Sequence, residues 1–245
     1  MKESRLNKYI VAKIYTMRTI TVIHPSRGRA EMAARAYEEW RSKASQPFNY
    51  VLSIEPDQVH AYSAHFDVKH MRSGDNKTAV EAINNAAAKL PGFDILVVMS
   101  DDFHCPDGWD DLIREAVGDS TDFVLKTWDG IQRWIVTLPI MDRAFYRRHG
   151  YVYYPGYRHM FCDTELTCAA EYTGRLIKRL DLTFIHDVES TGNDATNARN
   201  NASWAQGEAL FLERHRSNFG VEKLHEISDP GYQAWIRSKT NHNTP

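Results

Sequence analysis

Two adjacent carboxylates, Asp101 and Asp102, follow the apolar run Ile95-Leu96-Val97-Val98-Met99 with only Ser100 between. Paired acids of this kind are hard oxygen donors. They suit magnesium or manganese, ions that hold phosphates by taking one or two carboxylates from a protein and filling the rest of their shell with phosphate oxygens and water. His186 ends a second apolar stretch, Leu182–His186, and a neutral imidazole is a competent ligand for the same ions. Asp163 and Glu165 stand two residues apart, and either carboxylate can take a proton from an attacking hydroxyl; Asp163 also has the residue type of a helix N-cap. The segment Pro25-Ser26-Arg27-Gly28-Arg29 adds cationic donors and a glycine able to approach a diphosphate. Neither a G-x-x-x-x-G-K-[ST] loop nor a G-x-G-x-x-G fingerprint occurs, which argues against the commonest phosphate-cradling loops. His60, His65 and His70 recur every five residues, a spacing that suits no helical ligand pair, and His104 is expected to face solvent.

The elements that must position these groups alternate between strands and helices, the signature of an α/β sheet. Thr19–His24 and Tyr50–Ile54 read as short buried strands, and Ile95–Met99 as a third whose tip carries the acid pair. Open α/β sheets bind ligands beyond the carboxyl ends of such strands. Between them, Ala33, Ala36, Tyr37, Trp40 and Ala44 fall on one helical face, and Val80, Ile83, Ala87 and Leu90 define a helix over 77–90 stopped by Pro91-Gly92. Trp109, Leu112, Ile113, Ala116 and Val117 mark the helix after the acids. Further strands are expected at Phe123–Lys126, Trp134–Leu138 and Leu182–His186, with a helix over Thr164–Gly174 and another over Gly207–Phe219. A polar end is expected at Ser238–Pro245.

Composition is permissive. With 245 residues, 42% hydrophobic and 25% charged, the chain can bury one large core, and a formal charge of -2 excludes a generally basic nucleic-acid binder. No run reaches membrane-span length, and Met1–Arg18 lacks the apolar block of a secretory signal, so a cytoplasmic location is expected. Cys105, Cys162 and Cys168 form no C-x-x-C pair and are read as reduced.

From about residue 19 to 195 the chain resembles the GT-A-type, nucleotide-sugar-dependent glycosyltransferases, most closely the large inverting, family-two-like group. The residues that carry the resemblance are the Pro25–Arg29 loop, Asn85 before the acidic strand, Ser100-Asp101-Asp102 in the place of a D-x-D element, and Gly108-Trp109 at a helix start. They continue with Phe161-Cys162-Asp163-Thr164-Glu165-Leu166 as the later acidic motif, and Phe184-Ile185-His186 as the strand returning a histidine to the metal. The resemblance implies a single α/β domain of GT-A (Rossmann-like) fold, its mixed and mainly parallel sheet flanked by helices. Residues 1–18 would form an N-terminal extension, 19–130 the nucleotide-sugar-binding half, 131–205 the acceptor-binding half and 206–245 a C-terminal helix and tail. It implies further that Pro25, Ser26, Arg27, Arg29, Asp57, Asn85 and Asp101 contact the donor, that Asp102 and His186 ligate Mn2+ or Mg2+, and that Asp163, ahead of Glu165, is the general base. Ser100 departs from the first acid of the usual motif.

The implied activity is metal-dependent transfer of a hexosyl or pentosyl unit from a nucleoside-diphosphate sugar to a hydroxyl, with inversion. The acceptor is a glycan, a small molecule or a hydroxymethylated base in DNA. The DNA alternative rests on Arg143, Arg147, Arg148 and Arg158, which are interleaved with Tyr146, Tyr151, Tyr153, Tyr154 and Tyr157. Arginine and aromatic groups together bind phosphates and stack on bases. The same segment also fits a partly buried aromatic hairpin whose arginines snorkel to solvent. A nucleotidyltransferase lacks its expected Gly-rich first loop here, and a non-catalytic nucleic-acid or carbohydrate binder leaves Asp101, Asp102 and Asp163 unexplained.

Overall fold

Ile20–Pro25 forms β1, buried from Ile20 through His24, because its unbroken apolar run is covered on both faces of a sheet. The computed structural model describes residues 17–192 and 194–240, so most of the expected 1–18 extension and the final residues of the tail lie outside the described residues. After β1 come α1 (Ala30–Lys43), β2 (Asn49–Ile54), α2 (Val59–Tyr62), β3 (Met71–Ser73), α3 (Ala79–Ala88) and β4 (Ile95–Val98). They are followed by β5 (Phe103–His104), α4 (Trp109–Val117), β6 (Val124–Trp128), β7 (Ile140–Asp142), α5 (Arg143–His149) and α6 (Cys162–Tyr172). The rest comprises β8 (Leu176–Thr183), β9 (Ile185–His186), α7 (Val188–Thr191), α8 (Ala195–Asn201), α9 (Trp204–His215) and α10 (Pro230–Thr240).

Seven strands make one sheet in the order β3-β2-β1-β4-β7-β6-β8. All of its pairings are parallel except those of β7, which runs against both β4 and β6. The register Ile23↔Val98 and His24↔Leu52 brings the carboxyl ends of β1, β2 and β4 to one edge. One face of the sheet packs Val22, Leu52 and Leu125 with Trp40 of α1 and with Trp109 and Ile113 of α4. The other packs Ile23, Val98 and Val124 with Val80 and Ile83 of α3, Leu166 of α6 and Phe211 of α9. Among the described residues, no helix is long and apolar enough to cross a membrane.

Several expected boundaries move. Trp134–Leu138 is not a strand: Trp134, Val136 and Leu138 are buried as a loop, and the Val136 amide donates to the Thr167 hydroxyl rather than to a ladder. The strand is instead the short β7, just after Pro139. Leu182–His186 divides into the end of β8 and β9, which leaves the main sheet to pair antiparallel with β5. The 143–159 segment is no hairpin. Asp142 caps α5 by accepting from the Phe145 amide, Gly150 ends that helix at φ 75°, and a loop follows. The helix expected over 207–219 runs over Trp204–His215, and α10 reaches Thr240, inside the 238–245 end expected to be polar, whose residues 241–245 lie outside the described residues.

Candidate active site

A cleft of about 470 Å³ opens at the carboxyl edge of β1 and β4, lined by residues that include Ser26, Arg29, Asp101, Asp102, Asp163 and His186. The acids are placed there by the turn that follows β4. Trp40 Nε1 donates to the Phe103 carbonyl and Trp109 Nε1 to the Trp40 carbonyl, so two buried indoles tie the acidic turn to α1 and α4. The start of α4 depends on Gly108 at φ 66°, a left-handed conformation that glycine adopts without steric cost.

Asp101 is fixed from below. Its Oδ1 accepts from the Ser26 hydroxyl at 2.7 Å and is hydrogen-bonded to His24 Nε2 at 2.9 Å, while Tyr62 donates in turn to Ser26 at 2.6 Å. Arg29 stands 3.9 Å from its other oxygen. Asp102, 8% exposed, accepts from Ser100 and lies 3.4 Å from His186 Nε2. Burial alone would raise the pKa of Asp102, but the hydrogen bonds from His186 and Ser100 outweigh it and hold the group below the usual carboxylate range. Ser100 thus orients an acid rather than carrying charge. His186 reaches Asp102 through β9: Phe103 pairs with His186 in the small sheet, and the two rings stack at 4.4 Å.

Asp163 lies in the first turn of α6, where Phe161, at φ 70°, holds the N-cap position that Asp163 was expected to fill. Its carboxylate accepts from the Thr164 amide at 2.7 Å. Burial pushes the Asp163 pKa up, partly offset by His159 and by Thr164. His159 shares the cleft, and burial pushes its pKa down against the pull of Asp163 and Asp102. Sequence reasoning missed His159, which carries no motif of its own.

Three expected site residues are not brought to the cleft. Asn85 is exposed on the outer face of α3 and donates to Asn76 Oδ1. Its neighbour Asn84 instead clamps the loop after α5, accepting from the Val152 and Tyr153 amides and donating to the Tyr153 carbonyl. Asp57 is exposed and paired with Arg27, whose guanidinium also binds Glu55. Glu55, not Asp57, is the acid after β2 that lines the cleft. Glu165 is 4% exposed and turned away: Arg214 donates to both of its oxygens, and the Tyr157 hydroxyl donates to one of them.

Pro25, Ser26, Arg27 and Arg29 do line the cleft, and Arg29 is engaged by the Asp194 carboxylate at 2.6 and 2.8 Å. The arginine-rich segment divides. The pairing Ile95↔Asp142 places the start of α5 at the amino end of β4, so Arg143, Arg147 and Arg148 lie at the end of the sheet opposite the cleft. Arg148 pairs there with Asp122, and Arg158 is exposed. Tyr153 and His159 alone return from this segment, with Met160, to the cleft wall.

Among the described residues, no group of three or more His, Cys, Asp or Glu side chains is arranged to hold a metal unaided. Asp102 with His186 is a mixed carboxylate–imidazole pair facing the cleft, and it fits a divalent ion that draws most of its shell from substrate phosphates and water. Cys105, Cys162 and Cys168 are free and buried.

No family model and no curated protein matches the chain. Solved structures do. The mannosyltransferase PcManGT from Pyrobaculum calidifontis, in complex with GDP-Man and Mn2+, aligns with a TM-score of 0.62 at 16% identity over 96% of this chain and 76% of that one. S. aureus TarS 1-349 aligns with a TM-score of 0.53 at 15% identity over 90% of this chain and 78% of that one. The same TarS fragment in complex with UDP-GlcNAc gives 0.54 at 12% identity, over 90% and 79%. At such identities the likeness bears on fold, and the fold is the GT-A type, a single domain built on a mixed, mainly parallel sheet flanked by helices.

Proposed function

We propose that the protein is a metal-dependent glycosyltransferase that moves a sugar from a nucleoside-diphosphate sugar to an acceptor hydroxyl with inversion. The observation that carries this reading is the convergence of Asp101, Asp102, Asp163 and His186, from separate segments of the chain, on one cleft at the carboxyl edge of the sheet. Residues 19–130 supply the donor half and 131–205 the acceptor half. Asp101, held by Ser26 and His24, orients the donor ribose, and Arg29 faces the diphosphate. Asp102 and His186 hold Mn2+ or Mg2+, which when bound neutralises charge developing on the departing phosphate.

In the transfer step the acceptor oxygen attacks the anomeric carbon. The bond from that carbon to the diphosphate oxygen breaks, its electron pair leaves with the nucleoside diphosphate, and the acceptor proton passes to the Asp163 carboxylate. A single displacement assisted by one carboxylate inverts the anomeric centre. Three free, buried cysteines support a reducing compartment such as the cytoplasm.

Calorimetry with UDP and GDP, with and without Mn2+, tests the donor site. Binding is expected only with the ion, and Asp102→Ala is expected to abolish that dependence; metal-independent binding that survives the substitution would refute the assignment. Asp163→Asn should retain nucleotide binding and lose transfer by about a hundredfold or more, the usual contribution of a general base. Incubation with a panel of nucleotide sugars and acceptors, read by mass spectrometry, identifies the substrates.

A further inference from the structure

One face of α9 lies along the segment that carries Asp163. Ser203 at the helix cap, then Gly207, Phe211 and Arg214, recur at the three- and four-residue spacing of a single helical face. They meet the segment in order. The Ser203 hydroxyl accepts from the Met160 amide at 3.4 Å, Gly207 faces the Met160 carbonyl, the Phe211 and Phe161 rings stand 5.9 Å apart, and Arg214 donates to the Glu165 carboxylate at 2.7 Å. The Ser203 hydroxyl also donates to the Asn200 carbonyl at 2.6 Å, so it joins two residues, Met160 and Asn200, that line the cleft from separate segments.

Gly207 is buried inside the helix, where glycine is the poorest former apart from proline. The close approach of the two backbones explains it. A Cβ at this position would overlap the Met160 carbonyl oxygen, and would lie 3.1 Å from the carbonyl carbon and 3.2 Å from Cδ2 of Phe161. The obstacle is backbone, which cannot rotate away as the end of a long side chain would. Nor is Phe161 free to swing aside: its ring is also 5.2 Å from that of Trp204 and 5.8 Å from that of Trp235, and its backbone is at φ 70°. Interiors packed this closely transmit a displacement rather than absorb it. On one side of this contact His159 lines the cleft. On the other, the Glu165 amide donates to the Phe161 carbonyl at 3.0 Å, the bond that opens α6, so the place of Met160 and Phe161 sets where that helix begins and where its first turn carries Asp163.

We propose that Gly207 is a positioning residue for the general base: by leaving room for the Met160 carbonyl it lets α9 seat the start of α6 and hold Asp163 at its place in the cleft. The proposal rests on the reading of Asp163 as the base.

The test is Gly207→Ala, with rate and affinity read separately on the donor and acceptor that the mass-spectrometric panel identifies. The added methyl group should push the Met160–Phe161 backbone and lower kcat at least about tenfold, since a misplacement of ~1 Å can cost about a hundredfold. Binding of UDP or GDP with Mn2+ should stay within about twofold of the wild type. Ala209→Gly, on the exposed face of α9, weakens the same helix without touching Met160 and should leave kcat unchanged. Added to Asp163→Asn, Gly207→Ala should cost nothing further, because both substitutions act on one group. Should Gly207→Ala fail to fold, Ser203→Ala removes the partner of the Met160 amide without a clash, and is expected to lower kcat about fivefold at unchanged nucleotide affinity. Wild-type kcat in these variants, an equal loss in Ala209→Gly, a fall in nucleotide affinity, or an additive loss on top of Asp163→Asn overturns the proposal while leaving Asp163 as the base. An active Asp163→Asn enzyme overturns the functional reading itself, and the role of Gly207 with it.

Discussion

Asp163 and Glu165 sit in one helical turn and meet opposite fates. Asp163 opens on the cleft, where its carboxylate accepts from Thr164, whereas Glu165 is closed in a pair with Arg214, whose guanidinium also lies 3.3 Å over the Tyr154 ring. Removing one partner of a buried ion pair leaves the other uncompensated, at a cost of roughly 3–5 kcal/mol. Glu165→Gln should therefore lower unfolding stability in urea by about that amount, while the protein that remains folded still transfers sugar. A stable but inactive Glu165→Gln enzyme would return the role of base to Glu165. The two carboxylates look alike in the sequence because the difference between them, Arg214, lies 49 residues downstream and nothing local announces it. Asp57 departs from its expected place for the same reason: alone it is a reasonable contact for a nucleotide, but the structure turns it to Arg27, which itself lines the cleft. Asp101, Asp102, Asp163 and His186 were legible because strand tips and first helical turns are marked by the apolar patterns around them.

At the scale of elements, the cleft is walled on one side by α7 and α8, which are tied to the first loop at several points. Arg29 binds Asp194 and Asn197, the Thr196 hydroxyl donates to the Arg27 carbonyl, and Asn197 donates to the Thr191 hydroxyl. The hydrogen bond from Arg29 pulls the Asp194 pKa down to about 2 from its ordinary 3.8. A depressed carboxylate contributes above its ordinary value and loses that contribution as the pH falls through the lowered one, so this contact is intact at neutral pH. Asp194→Asn should speed amide exchange over 188–201 about fivefold, the effect of a contact worth ~1 kcal/mol, and leave β1, β2 and β4 protected. Equal exchange in both proteins would place the anchor elsewhere. The strands β1, β2 and β4 were readable because continuous apolar runs bounded by polar loops leave few alternatives. The β7 region was not: Trp134–Leu138 has the apolar content of a strand but spends it on packing, while the true strand is three residues long and follows a proline.

The polarity of the whole sheet decides which surface can meet a substrate. Periodicity marks where strands are but not which way they run, so the reversal of β7, and with it the destination of α5, could not be read from the chain. That single antiparallel strand carries Arg143 and Arg147 to the end of the sheet away from the acids, and the arginine–tyrosine segment ceases to be one surface. With four acids in the cleft, Glu55, Asp101, Asp102 and Asp163, and α5 at the far end of the sheet, Arg143 and Arg147 stand apart from Asp163. An acceptor with a long phosphate backbone would have to reach around the sheet to use both. Replacing Arg143 and Arg147 together by alanine should accordingly leave nucleotide affinity and transfer rate within about twofold for glycan, small-molecule and hydroxymethylated-DNA acceptors alike, since exposed charges contribute little beyond a Debye length of ~8 Å. A loss of about tenfold with the DNA acceptor alone, abolished by added salt, would show that a polyanion does make that reach and would reinstate the far end of the sheet as part of the acceptor site.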